Sequence, residues 1–234
     1  MKPLSRAASC LLALVVAAGC ASTEVSERQR YEGAQLARPE RIIVHDFTAD
    51  PAEVPPASPF AARLAGAVPP TPEQRELGRE LGAQVAEQLV ADLQGMGLPA
   101  VRAEGQGAPQ IDDIVLRGYF VSIEEGSAGK RVLVGFGSGA AEMRAAVEGY
   151  QATATGLRLL GSGEVSSEGG GMPGVAAPLA VLAATANPIG LVVGGTAKLY
   201  GEGSGSDTIE GAAKRTADEI AAQLRPTAEE QGWI

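Results

Sequence analysis

The clearest pattern of apolar and polar positions in the chain lies between residues 72 and 94. Leucine or valine recurs there every fourth residue, which places these side chains on one face of a helix. The positions are Leu77, Leu81, Val85, Leu89 and Leu93. Thr71 and Gln74 have the spacing of a capping box around Pro72, which suits the first helical position. The pattern predicts an amphipathic helix over residues 72–94.

A second apolar stripe, from Ile209 to Leu224, predicts a closing helix over residues 207–225 that ends before Pro226. Short β-branched runs predict strands between these helices and before them. Residues 41–47 are apolar on both faces, which is typical of a central strand. Further strands are predicted over residues 98–101, 113–124 and 131–134.

Alternation on both sides of Thr155-Gly156 predicts a hairpin over residues 143–166, with one face in water. The proline-dense residues 50–72 are predicted to form an extended surface loop. These elements together predict an α+β fold, in which a mixed, mostly antiparallel sheet packs against the two main helices. The tail with the only tryptophan, Trp233, is predicted to pack onto this body.

The stretch from residue 169 to 197 carries no charged side chain. Gly190 and Gly194 have the spacing that allows close contact between helices, and Pro178 and Pro188 interrupt any single span. We interpret the region near 174–200 as an Ala/Gly-rich helical hairpin packed on the body. Insertion of this stretch into a membrane is the alternative.

The first residues have the parts of a secretory signal: Lys2 and Arg6, an apolar run and small residues before Cys20. The run is shorter than the roughly 20 residues that a bilayer-spanning helix needs. Residues 17–20 resemble the lipobox of bacterial lipoproteins, which implies lipidation of Cys20. Ala21, where Asp would favour inner-membrane retention, implies an outer-membrane address. We therefore expect a signal peptide over 1–19, a tether over 20–40 and one α+β domain over 41–234.

Charge and composition exclude several functions. Loss of residues 1–19 removes Lys2 and Arg6 and takes the formal net charge from −9 to −11, which disfavours binding to nucleic acid. The chain has one histidine, His45, and two cysteines, too few for a His/Cys zinc site. It contains neither a G-x-S-x-G elbow nor a phosphate-binding loop. The sequence therefore predicts no catalytic, cofactor or metal site.

Two weaker patterns point to other functions. Gly135, Gly137 and Ala140 have the spacing of a dinucleotide fingerprint, but residues 141–147 are too few for the helix that should follow, which favours a close-packed turn. A hydrolase would have to use carboxylates from a scattered set. The candidates are Asp46, Asp112, Asp113 and Glu124.

Several runs in order resemble the bacterial lipoproteins grouped as domain of unknown function 4410. They are residues 31–36 with Pro39, 42–47, 116–120, 124–127, 135–139 and Gly232-Trp233. The family has no assigned activity, so the resemblance implies no catalytic residues. His45 departs from the aromatic residue expected before Asp46. A fainter similarity links the chain to the curli-secretion channel lipoprotein, in which uncharged segments between strands enter the outer membrane.

The sequence therefore predicts a non-enzymatic, lipid-anchored envelope protein on the periplasmic face of the outer membrane. Its partners would be the membrane, through Cys20, and another envelope component. The first alternative is an oligomeric outer-membrane pore or secretion subunit that uses residues 169–197. A carboxylate-based hydrolase ranks last.

We expect Cys20→Ser to abolish membrane attachment, because nothing else in the sequence predicts a strong anchor. Fractionation of the envelope should then find the variant outside the outer membrane. Persistence of the variant there at wild-type levels would contradict lipidation at Cys20.

Overall fold

The computed structural model describes residues 22–66, 69–124, 141–168, 191–192 and 208–234. These residues form an α+β fold, a mixed and mostly antiparallel sheet of seven strands with three α-helices, as predicted. The strands are β1 (Ser22–Gln29), β2 (Ile42–Val44), β3 (Ala100–Arg102), β4 (Ile114–Glu124), β5 (Glu142–Thr153), β6 (Gly156–Glu168) and β7 (Leu191–Val192). The helices are α1 (Ala61–Leu64), α2 (Pro72–Gly95) and α3 (Ile209–Glu230).

The strands lie in the order β1-β6-β5-β4-β2-β3, and β7 pairs with the end of β4. The antiparallel part runs from β1 to β4, and the β5–β6 hairpin predicted around Thr155-Gly156 is confirmed. β2 is parallel to both of its neighbours, β3 and β4. This position makes β2 the central strand that its two apolar faces predict.

The helices α2 and α3 pack side by side on one face of the sheet, which we call the helical face. The predicted helix over 72–94 is confirmed, together with its capping box: the Gln74 amide donates to the Thr71 hydroxyl, and the Thr71 amide donates to the Gln74 side chain at 2.8 Å. Four members of its apolar stripe are at most 1% exposed. They are Leu81, Val85, Leu89 and Leu93.

A close contact between α2 and the chain that leaves β2 sets the distance between helix and sheet. The Phe47 amide donates to the Gly82 carbonyl at 3.3 Å, and a Cβ atom on Gly82 would lie 1.9 Å from the Phe47 carbonyl oxygen. Only glycine fits at this position. The Phe47 ring then packs on Phe120 of β4, with ring centres 5.9 Å apart, and lies over Gly118.

The tether predicted over residues 20–40 includes a strand that the sequence analysis missed. β1 pairs antiparallel with β6, with Val25 opposite Val165 and Ser22 opposite Glu168. Its sequence, STEVSERQ, has one apolar residue and therefore no alternation. An edge strand with a single inward side chain gives no periodic signal, which explains the omission.

The proline-dense residues 50–66 do not form a simple surface loop, and here the prediction is wrong. They contain a 3-10 turn (Pro51–Glu53) and α1, and they bury Phe60 and Leu64 against Tyr119 and Val121 of β4. This segment covers the second face of the sheet. The hairpin face that was predicted to be wet is therefore largely covered, because alternation reports polar side chains and not their exposure.

The closing helix continues through Pro226 to Glu230, beyond the predicted end at 225. Pro226 has no N–H, so the Ala222 carbonyl loses its usual donor. The neighbouring Gln223 carbonyl accepts a hydrogen bond from the Arg28 side chain at 3.2 Å. The predicted packing of the tail is confirmed: Trp233 is 7% exposed, and its indole N–H donates to the Leu36 carbonyl at 3.3 Å.

Several predictions fall on residues outside the described ranges. They include the strand over 131–134, the turn at Gly135–Ala140 and most of the helical hairpin near 174–200. Leu191–Val192, within that hairpin, form a short strand parallel to β4 and not a helix. Among the helices that the structure describes, none combines the length and the apolar character needed to cross a bilayer.

We expect Gly82→Ala to lower the free energy of unfolding by about 2 kcal/mol or more, because the added methyl group meets backbone. Gly95→Ala, in the same helix, meets no atom within 4 Å. That variant should be neutral or stabilising by up to about 1 kcal/mol. Urea unfolding of both variants tests this contact, and equal stabilities would show that α2 does not lie so close to Phe47.

Candidate functional site

An apolar cavity lies between the sheet and the C-terminal half of α3. Its volume is about 160 Å³. Its floor includes three strand positions without a side chain, Gly149 of β5 and Gly161 and Gly163 of β6. Gly149 pairs with Gly161, and Gly163 pairs with Val147, so the three glycines lie together on the helical face. A side chain at Gly149 or Gly163 would extend into the space below α3, whereas a Cβ atom on Gly161 would lie only 2.6 Å from the Gln29 carbonyl oxygen of β1.

The remaining walls are mostly aliphatic. Ile220 and Leu224 of α3 form the roof, and the Trp233 ring closes one end. The sheet contributes Val25, Ile114, Leu116, Val147 and Val165. An engineered apolar cavity of about 150 Å³ stays dry and accepts benzene. The cavity therefore has the size and lining to receive an apolar group about as large as a benzene ring.

Polar side chains surround the mouth of the apolar cavity. Arg28 donates to the Gln223 side chain at 2.7 Å, and the Leu36 amide donates to the Gln231 side chain at 2.6 Å. These contacts fasten the N-terminal segment to the end of α3. An apolar interior with a few polar groups at its rim is the usual composition of a ligand pocket.

The covered second face carries two buried carboxylates that the sequence analysis assigned to a wet surface. Glu148 is fully buried and accepts hydrogen bonds from three hydroxyls: Ser58, Tyr119 at 2.9 Å and Tyr150 at 2.6 Å. Burial raises the pKa values of both tyrosines, and the adjacent Glu148 carboxylate raises them further. The network attaches the segment that carries Ser58 to the sheet.

Glu164 is 1% exposed and is paired with two arginines, Arg63 at 2.5 Å and Arg144 at 2.6 Å. Arg63 belongs to α1, whereas Arg144 belongs to β5. A buried carboxylate needs such partners because an unpaired charge in the interior is costly. Glu164 therefore connects α1 with the sheet.

Three of the carboxylates considered for a hydrolase have separate partners. Asp46 pairs with Arg102 at 2.5 Å, Asp112 accepts from the Gln151 side chain at 2.7 Å, and Asp113 pairs with Arg41 at 2.5 Å. Glu124 lies at the other end of β4, about 33 Å from its start. The described residues contain no group of three or more His, Cys, Asp or Glu side chains placed to hold a metal ion. Cys20 lies outside the described residues.

The family model of "Domain of unknown function (DUF4410)" matches residues 42–186, which is more than half of the chain. The chain belongs to this family. The predicted resemblance is thereby confirmed. The DUF4410 match contains β2 to β6 and the segment over the second face, whereas β1, α3 and Trp233 lie outside it. The walls of the apolar cavity are therefore formed partly by strands inside the matched residues and partly by β1, α3 and Trp233, which lie outside them.

Two solved structures are similar to this DUF4410 chain. One is the PelC dodecamer from Paraburkholderia phytofirmans, with 12% identity over 87% of this chain and 97% of that chain, at a TM-score of 0.40. The other is a point variant of PelC from the same organism, with 18% identity over 64% and 82% of the two chains, at a TM-score of 0.31. No curated protein matches the chain.

The raised pKa values of Tyr119 and Tyr150 predict how stability depends on pH. The unfolded chain releases these protons near pH 10, whereas the folded chain keeps them. Their contribution is full below about pH 10 and is lost as the pH rises through the folded pKa values. Tyr119→Phe/Tyr150→Phe should therefore make the alkaline fall in unfolding free energy shallower. Urea unfolding between about pH 9 and about pH 11 measures this slope, and identical slopes would contradict the network.

Proposed function

We propose that this DUF4410 protein is a non-enzymatic, lipid-anchored envelope protein on the periplasmic face of the outer membrane. In this proposal the apolar cavity receives an apolar group of another envelope component. The observation that carries the proposal is the combination of an apolar interior with a polar, half-open mouth. Buried apolar groups in the centre of an interface, surrounded by a polar rim, supply most of the binding energy in protein complexes.

The position of β1 supports this proposal, because the strand begins two residues after Cys20. A lipid on Cys20 would hold the Ser22 end of the sheet near the membrane. The neighbouring strands end at the same edge of the sheet, where Ser22 pairs with Glu168, Glu168 with Glu142, and Glu142 with Glu124. Arg28, at the mouth of the apolar cavity, lies about 20 Å further along β1. The mouth would then face the periplasm, where a partner can reach it.

The absence of enzymatic activity is part of the proposal. The buried carboxylates Glu148 and Glu164 accept hydrogen bonds from neighbouring side chains on the second face. A general acid or base must reach the proton of a substrate. Both carboxylates lie instead beneath the segment that contains α1, where they hold it in place.

One observation favours a pore or secretion subunit as the second candidate function. β6 ends at Glu168, directly before the uncharged stretch 169–197, and Leu191–Val192 within that stretch pair with Ile123 and Glu124. Both connections lie at the end that a lipid on Cys20 would hold near the membrane. Sedimentation of a chain that begins at Ala21, with and without detergent, separates the two candidates. A detergent-free monomer supports the binding protein, and detergent-dependent rings support the pore.

The binding proposal predicts that Gly163→Leu closes the apolar cavity without unfolding the protein. A Cβ atom on Gly163 would meet only the Ser26 carbonyl oxygen, at 3.9 Å, so a larger side chain can enter the cavity. Trp233 lines the cavity and is the only tryptophan, so its fluorescence reports occupancy. Titration with benzene should change Trp233 emission and raise the Tm of the wild type. Both effects should disappear in Gly163→Leu.

Gly107→Leu provides the matched control, because Gly107 is exposed and a Cβ atom there meets no atom within 4 Å. This variant should bind benzene as the wild type does. A photo-crosslinker at Val25 should capture an envelope component in cells, and the yield should fall when Gly163→Leu is added. The same crosslinker at exposed Glu80 should not capture that component. Equal capture at both positions, or capture unaffected by Gly163→Leu, would contradict the proposal.

A further inference from the structure

A second cavity, of about 260 Å³, lies on the opposite face of the sheet from the apolar cavity. It is located where the chain leaves β2, beside the middle of β4, and we call it the polar pocket. Its lining includes His45, Asp46, Thr48, Glu53, Arg117 and Tyr119. Unlike the apolar cavity, it is lined by charged groups and hydrogen-bond donors.

The unusual group in the polar pocket is Arg117. Its guanidinium lies 5.8 Å from the centre of the Tyr150 ring, and the residue is half-buried. No atom of the described residues accepts a hydrogen bond from it, whereas Arg41, Arg102 and Arg144 are each paired with a carboxylate. A guanidinium has five N–H donors in a planar fork that matches a carboxylate or phosphate. The fork of Arg117 is held in position but unused by the described protein atoms.

Two further donors line the same pocket. His45 is half-buried and makes no side-chain hydrogen bond to a described residue; burial and then Arg117 lower its pKa, so it carries one N–H and no charge at pH 7. The Thr48 hydroxyl accepts from the Asp50 amide at 3.1 Å, which leaves its own proton to donate. Arg117, His45 and Thr48 therefore offer donors without an acceptor.

The acidic groups of the pocket do not supply that acceptor. Asp46 is bound through both carboxylate oxygens by Arg102, at 2.5 Å each. Glu53 lies exposed at the rim. Glu148, the cross-strand partner of Arg117 on β5, is buried and accepts from three hydroxyls. The free acceptor that would complete this arrangement has to come from outside the described residues.

We propose that the polar pocket binds an oxyanion, a carboxylate or a phosphate. The Arg117 fork receives two oxygens of this group, and His45 and Thr48 donate to it. This site is separate from the apolar cavity and does not depend on the proposed function. The chain has a net charge of −9 and as a whole repels anions, so an anion can bind here only through the donors of the pocket itself.

The single histidine makes the test site-specific, because its Hε1 proton gives one NMR signal that belongs to no other residue. Acetate and inorganic phosphate are titrated separately at constant ionic strength, so that a preference between the two identifies the carboxylate or the phosphate. The His45 signal should shift saturably with at least one of them. A bound anion should raise the His45 pKa, because it favours the imidazolium. Acetate stays an anion above about pH 6, so tighter binding of acetate as the pH falls towards 6 would show that protonation of His45 strengthens the site.

Arg117→Gln should weaken binding by about tenfold or more, and Arg117→Lys should weaken it less. Glu53→Gln should tighten binding, because it removes a like charge from the rim. Arg158→Gln is the matched control: Arg158 also stacks on a tyrosine, Tyr31, at 5.5 Å, but lies outside the polar pocket. Its affinity should equal that of the wild type. Absence of a saturable His45 shift, or equal losses in Arg117→Gln and Arg158→Gln, would overturn the proposal.

Discussion

Ile42, Ile43 and Val44 of the central strand β2 point alternately to the two faces of the sheet, and all three are buried. Each face therefore needs a cover. The helices α2 and α3 cover one face, where Gly82 allows α2 to contact the chain beyond β2. The proline-dense segment with α1 covers the other. Because this second cover lies over charged residues of β5 and β6, every carboxylate beneath it has to be paired, and Glu148 and Glu164 are.

Most elements of the fold could be predicted from the periodic spacing of apolar side chains in the sequence. The four-residue spacing of leucines specified α2, and alternation around Thr155-Gly156 specified the β5–β6 hairpin, because both patterns repeat over several turns or residue pairs. β1 was missed because an edge strand with one inward side chain has no period. The extent of α3 was underestimated because the helix continues through Pro226, although that residue removes one helical hydrogen bond. About one turn earlier, the Gln223 carbonyl accepts from Arg28. That contact joins residues far apart in the chain.

The candidate sites were harder to predict than the fold. The apolar cavity depends on the missing side chains of Gly149 and Gly163. Its roof comes from α3, which follows β6 in the chain by about 40 residues. The Gly161-Ser-Gly163 spacing within a strand was an available signal, since glycine in a strand interior often marks a close approach or a gap. Glu148 and Glu164 lie on the polar side of an alternating pattern, which predicted exposure to water. Nothing in the sequence indicates that the proline-dense residues cover that side.

An unfilled apolar cavity costs stability, because the lining side chains lose contacts that a larger residue at Gly149 or Gly163 would supply. The space is consistent with a binding role, since a bound apolar group would restore those contacts. The most direct measurement is a crystal structure determined under xenon pressure. We expect a xenon atom between Gly163 and Leu224, in a cavity without ordered water. Ordered water molecules in that space, with no xenon, would contradict it.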